Sequence, residues 1–129
     1  MAWVRCCGSG ATTPQSFSIL SAGVLQNGCT QTGMSAQTGY LRLPYNATGK
    51  LILPSTMQGY TNLKVVVQSG TTYSSVRATI AGHVVTAPKN TSLNTITIPL
   101  NSTDVYSEIT LTVNGGTDNQ SVFDAWLEP

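Results

Sequence analysis

Acidic residues and histidine are scarce in this sequence of 129 residues. No aspartate or glutamate precedes Asp104, and His83 is the only histidine. A general acid-base pair must therefore come from five carboxylates near the C-terminal end, and a catalytic triad must join His83 to one of them. We expect no catalytic activity from a chain with so few of the necessary groups.

Charged residues of either sign are also few, at 9% of the sequence with a net charge of +1. Nucleic-acid binding needs clustered Lys and Arg, whereas the six basic residues are spread over positions 5–89, so we expect no nucleic-acid partner. All five acidic residues follow position 103. Either the two signs mix because the first and last strands lie side by side, or the acidic end of one copy meets the basic part of the next.

Long apolar segments and a cysteine framework are absent. No run is long enough for a membrane span, and the start MAWVRCCGSG lacks the apolar stretch of a signal peptide. Three cysteines, of which Cys6 and Cys7 are adjacent and strained as a pair, do not make a disulfide scaffold. We expect free thiols, synthesis in a cytoplasm and no membrane insertion, with a bridge from Cys29 to Cys6 or Cys7 as the open alternative.

Metal ligands are equally sparse. Calcium needs several oxygen ligands, and TDNQ at positions 117–120 is too short to be a calcium-binding loop. The acidic residues that could contribute are Asp104, Asp118, Asp124 and Glu128. We expect no cofactor and no metal site, and a structural calcium ion is the less favoured alternative.

Alternating apolar residues dominate what is present, in short runs between Gly, Asn, Ser, Thr and Pro clusters. This period of two is typical of strands, and about ten short antiparallel strands predict an all-β fold, a single β-sandwich or jelly roll over residues 1–129. In the last strand, alternation places Phe123, Ala125 and Leu127 inward, and Val122 and Trp126 on the opposite face. The predicted strands are Trp3–Cys7, Phe17–Leu25, Tyr40–Leu43, Lys50–Leu53, Asn62–Gln68, Ser75–Ile80, His83–Thr86, Leu93–Leu100, Glu108–Val113 and Ser121–Glu128.

The order of these segments carries a family resemblance over residues 40–129. TNLKVVVQSG, SSVRATIAG, NTITIPLNSTDVYSEITLTVNGG and the closing SVFDAWLEP resemble the galactose-binding-like β-jelly-roll of carbohydrate-binding modules and of small phage virion proteins. The start WVRCCGSG also looks like that of short phage structural proteins. The resemblance implies a non-catalytic β-sandwich that binds glycans through a sheet face or its edge loops.

Aromatic residues are the candidate contacts. Sugar recognition uses aromatic faces flanked by polar groups, and Tyr45, Tyr60 and Tyr73 lie in the turn-like segments LPYNATG, MQGYTN and SGTTYSS. We predict that these tyrosines bind glycan, and the alternative for each is a half-buried tyrosine that pins a loop. We predict an assembly interface at Trp3, Asp124 and Trp126, because apolar surface patches mark interfaces.

The sequence therefore predicts a non-catalytic phage virion structural protein, either a capsid decoration or a tail-associated protein. It would be made in the host bacterial cytoplasm and released on the particle. Its expected partners are other virion proteins or copies of itself, with host-surface or mucosal glycans as ligands. The alternative is a stand-alone carbohydrate-binding module or lectin, favoured if the aromatic loops converge on one face. An enzyme would require His83 to meet a carboxylate and a hydroxyl or thiol.

Overall fold

A computed structural model describes residues 15–129, so the predicted strand Trp3–Cys7 and the residues in it lie outside the described part. The described residues form twelve strands and no helix, and hence contain no helix that could cross a membrane. The strands are β1 Phe17–Ser21, β2 Val24–Leu25, β3 Thr30–Thr32, β4 Ser35–Ala36, β5 Leu41–Leu43, β6 Gly49–Met57, β7 Asn62–Ser69, β8 Ser75–Ile80, β9 His83–Thr86, β10 Leu93–Pro99, β11 Tyr106–Asn114 and β12 Gln120–Glu128.

Two antiparallel sheets make up the fold. The seven-stranded sheet has the order β10-β7-β12-β1-β2, and β5 also pairs with β12 and carries β4. The five-stranded sheet has the order β3-β6-β11-β8-β9. Each strand presents one face to the facing sheet, as in a β-sandwich. The predicted all-β sandwich is confirmed.

An aliphatic core lies between the sheets and follows the predicted alternation. On β7, Leu63 and Val65 are 0% exposed, as are Ile109 and Leu111 on β11. Each fully buried aliphatic side chain contributes about 1.5–3 kcal/mol. The inward sets predicted for β8 and β10 are buried as well, namely Val76, Ala78, Ile80, Ile96, Ile98 and Leu100.

The alternation fails at one point in β12. A β-bulge between Val122 and Asp124 adds one residue relative to β7, so the inward phase shifts by one position. Val122 is 0% exposed and faces the core, whereas Phe123 is half-buried and points outward. The predicted orientations of these two residues are therefore wrong, while Ala125 and Leu127 are inward as predicted.

The predicted strand Phe17–Leu25 is also wrong, because it is a hairpin of β1 and β2. Its turn uses positive φ angles at Ala22 (46°) and Gly23 (78°). A Cβ at Gly23 would overlap the backbone of Tyr40, so this position requires glycine.

Candidate functional site

The seven-stranded sheet has an outer face, which is its surface on the side away from the core. The outward-pointing side chains of β7 and β12 lie at its centre. From β7 they are Asn62, Lys64, Val66 and Gln68; from β12 they are Ser121, Phe123, Asp124, Trp126 and Glu128. Lys64 lies directly opposite Trp126 across the two strands, and Asn62 lies opposite Glu128.

Trp126 is held in place by its neighbours on this face. It is half-buried, so part of the indole reaches solvent. Its Nε1 donates a hydrogen bond to Glu128 Oε2 at 3.2 Å, and Glu128 Oε1 lies 4.0 Å from Lys64 Nζ. These three residues place an oriented aromatic ring beside a cation and a carboxylate.

A second aromatic group lies on the outer face at the bulge. Tyr40 comes just before the inward-facing Leu41 of β5, and Phe123 comes just after the inward-facing Val122 of β12. Their ring centroids are 5.8 Å apart at an interplanar angle of 49°. The Asp124 carboxylate is engaged within the fold, because its Oδ1 accepts a hydrogen bond from the Ala22 backbone N–H at 2.8 Å. The β1–β2 turn is therefore tied to the bulge.

Polar groups continue the outer face toward the start of β12. There, Ser121 pairs with Arg42 of β5 on one side and with Gln68 of β7 on the other. Trp126 is five positions after Ser121, which corresponds to about 15 Å along the strand. The face thus extends along the strands, with aromatic rings in the middle and at one end and a cation near each end.

Tyr45 and Tyr73 lie at the loop end of the sandwich where β12 begins. Tyr73 is 73% exposed and Tyr45 is 48% exposed. Asn119 Oδ1 accepts the backbone N–H of Tyr45 at 3.2 Å. Asp118 Oδ2 accepts the hydroxyls of Thr71 at 2.8 Å and Ser74 at 3.1 Å. Because β5 and β7 pair with opposite edges of β12, the two tyrosines flank the β11–β12 loop from either side.

Tyr60 lies at the opposite end of the sandwich. β7 lies between Tyr60 and Tyr73 in the sequence, and its eight residues span about 23 Å at roughly 3.3 Å per residue. Tyr60 packs partly against the core, and its backbone N–H donates to Tyr106 Oη at 3.3 Å. Burial raises the pKa of Tyr106. The three predicted tyrosines therefore do not form one site, and the glycan-binding role of each stays a prediction.

His83 does meet a carboxylate. Its Nε2 lies 2.7 Å from Asp104 Oδ2, which also accepts the Asn101 backbone N–H at 2.7 Å. The Asn101 N–H and then the His83 ring lower the pKa of Asp104. Within residues 15–129, no hydroxyl or thiol hydrogen-bonds to the His83 ring. Burial raises the pKa of the Cys29 thiol, which keeps it protonated and a poor nucleophile.

Three of the remaining residues considered in the sequence are not in the described part of the chain. Trp3 lies outside the described residues, as do Cys6 and Cys7. In the described part of the chain, no group of three or more potential metal ligands is present. The sequence drew attention to Trp126 and its neighbouring carboxylate, but not to Lys64, Tyr40 or Phe123.

Comparisons with known proteins identify the fold. No family model matches the chain, and no curated protein matches it. Solved structures of carbohydrate-binding modules of family 29 do match. A glutamate-to-arginine variant has a TM-score of 0.67 at 14% identity over 88% of this chain and 90% of that chain. A CBM29-2 variant complexed with cellulohexaose has a TM-score of 0.67 at 12% identity over 91% and 92%. A variant complexed with mannohexaose has a TM-score of 0.64 at 13% identity over 88% and 90%.

These similarities confirm the predicted resemblance to carbohydrate-binding modules. The resemblance to phage virion proteins stays a prediction. The chain has the β-jelly-roll fold of carbohydrate-binding modules. At such identities the similarity establishes the fold and not the ligand.

Proposed function

We propose that this chain is a non-catalytic carbohydrate-binding domain whose ligand lies on the outer face of the seven-stranded sheet. The observation that carries this proposal is Trp126, a half-buried indole that is oriented by Glu128 and lies directly opposite Lys64. The position on a sheet rather than on a mobile loop keeps the ring in a fixed plane.

The chemistry of this group suits a sugar. A sugar ring has an apolar C–H face, which stacks on an aromatic ring, and a rim of hydroxyls. Lys64 can donate to those hydroxyls and Glu128 can accept from them, and hydrogen bonds to charged groups are about twice as strong as neutral ones. Tyr40 and Phe123 provide further apolar surface at the bulge.

Similar solved structures supply the first probes. Two of the family 29 modules were solved with cellulohexaose and mannohexaose. Because the outer face extends along the strands, we expect an extended oligosaccharide of this kind to contact both the Trp126 end and the Tyr40–Phe123 pair.

The decisive experiment compares Trp126→Ala with Tyr73→Ala by calorimetric titration with cellulohexaose and mannohexaose, after a glycan-array screen of the wild-type chain. Each variant removes one aromatic ring, from the outer face or from the loop end. Trp126→Ala should weaken binding at least tenfold, about 1.4 kcal/mol, while Tyr73→Ala should bind as the wild type does.

Two other outcomes would contradict this placement of the binding site. If only Tyr73→Ala loses binding, the site lies at the loop end. If the wild-type chain binds no glycan on the array or in titration, the carbohydrate-binding proposal fails. Thermal melting of both variants shows that they are folded, and Trp126→Phe should retain part of the affinity because it keeps an aromatic face.

The virion role and the assembly interface at Trp3, Asp124 and Trp126 stay predictions from the sequence. They concern whether the domain is part of a virion, and the outer face would be the same in a stand-alone module. Mass spectrometry of purified phage particles from a host that contains the gene would test the virion role, which fails if the chain is absent from the particles.

A further inference from the structure

The free edges of the two sheets are not alike. The five-stranded sheet ends in β3, with three residues, and in β9, with four residues. One side of the seven-stranded sheet ends in β2 and β4, with two residues each. Short edge strands hinder pairing with other chains. The other side of that sheet ends in β10, which is seven residues long.

β10 lacks the features that usually protect an edge strand. Its seven residues pair with β7 in unbroken register, without a bulge. The segment Leu93–Pro99 contains no charged residue, and Pro99 stands only at its last position. Within residues 15–129, backbone hydrogen bonds join β10 to β7 and to no other strand. Among the described residues, the second edge of β10 is therefore not paired with another strand.

Exposed apolar surface accompanies this edge. The Leu93 side chain, at the start of β10, is 60% exposed on the outer face. Pro99, at the other end of the strand, is exposed as well. An exposed, long and uncharged edge strand is a template for a further strand.

We propose that β10 binds β10 of a second copy of this chain, antiparallel across a two-fold axis. Alternation restricts the register, because inward residues of one strand must lie opposite inward residues of the other. A pairing centred on Ile96 satisfies this condition. It places Thr95 opposite the partner's Thr97 and Leu93 beside the partner's Pro99, so the exposed leucine is covered.

A second copy fits this edge better than an unrelated strand because the centre of the segment, Thr95-Ile96-Thr97, is symmetrical. Thr95 and Thr97 flank Ile96, so the two-fold axis brings hydroxyl next to hydroxyl on one face and isoleucine next to isoleucine on the other. No like charges meet across the axis, since the strand has none. Each backbone hydrogen bond along one half of the new ladder is repeated in the other half.

The pairing would join two seven-stranded sheets edge to edge, and their outer faces would become continuous. Two binding faces on one rigid sheet favour ligands that reach both. The dimer itself does not depend on carbohydrate binding, so its test is independent of the proposed function.

The test compares Thr95→Lys with Thr30→Lys by light scattering over a range of concentrations. Both replace an exposed threonine of an edge strand with lysine, in β10 and in β3 respectively. The wild-type chain should form dimers of twice 13.6 kDa. Thr95→Lys brings two like charges close to the axis and should raise the dissociation constant at least tenfold, whereas Thr30→Lys should leave it unchanged.

Two measurements complete the design. Equal melting temperatures of the isolated Thr95→Lys monomer and diluted wild type show that the substitution acts on association. Hydrogen exchange at residues 93–99 should slow as wild-type concentration rises. The proposal is overturned if the full-length wild-type chain stays monomeric, if Thr95→Lys dimerises as well as wild type, or if Thr30→Lys disrupts the dimer equally.

Discussion

Replacing Asp124 separates a structural role from an assembly role for this residue. The Asp124 carboxylate accepts the Ala22 backbone N–H at 2.8 Å and so joins the bulge of β12 to the β1–β2 turn. A hydrogen bond to a charged group contributes about 1.5–3 kcal/mol, and the exposed position of Ala22 reduces this. We expect Asp124→Ala to lower the free energy of unfolding by about 1–2 kcal/mol.

Asp124→Asn is the matched control, because its amide oxygen can accept the same N–H without the charge. It should cost about half as much as alanine. Urea unfolding gives both values, and for a domain of this size each kcal/mol corresponds to a decrease of about 4 °C in melting temperature. If Asp124→Ala melts as wild type does but weakens self-association, the predicted interface role of Asp124 is supported and the structural argument is refuted.

Two further predictions test the bulge and the His83 contact. Val122→Asp should unfold the domain or lower its free energy of unfolding by about 4 kcal/mol or more, because it places a carboxylate in the core. Phe123→Asp should lower the free energy of unfolding much less. The reverse order in urea unfolding would mean that the strand has no bulge. Because the folded pKa of Asp104 is lowered below the unfolded value of about 3.9, its ionised form stabilises the fold above that value, and this contribution is lost as the pH falls through the folded pKa. Unfolding of Asp104→Asn between about pH 5 and about pH 2 should accordingly vary less than that of wild type, and equal pH dependence would contradict the hydrogen-bonding geometry.

Most strands could be predicted because one face of each is buried against the other sheet. In β7, β8 and β10 apolar residues recur at every second position on the inward face, and the β7–β10 and β8–β11 ladders have no bulge. The prediction of strands failed where a turn or a very short strand interrupts the alternation of apolar and polar residues. The turn at Ala22-Gly23 converts one expected strand into two. β3 and β4 were missed because strands of two or three small or polar residues give no periodic signal.

The site was harder to predict than the fold. Trp126 was recognisable as a tryptophan on the face opposite the inward residues, next to a carboxylate two positions away. Its partner Lys64 is 62 positions earlier and becomes a neighbour only through the β7–β12 register. Phe123 was assigned to the core because nothing in the sequence marks the extra residue of the bulge.

The distribution of aromatic residues agrees with the proposed binding role of the outer face. The sequence has nine aromatic residues, and Trp3 lies outside the described part. Of the remaining eight, Tyr106 alone is buried, and the core is otherwise made of aliphatic side chains and small residues. Phenylalanine and tryptophan are ordinarily among the more buried side chains, so the solvent-accessible parts of the half-buried Phe123 and Trp126 represent unused hydrophobic stabilisation. The bulge adds to this cost by exchanging Phe123 for the smaller Val122 in the core. A fold under selection for stability alone would keep the larger side chain inside, whereas the proposed carbohydrate-binding face gains an aromatic surface beside Tyr40 and on the same side as Trp126.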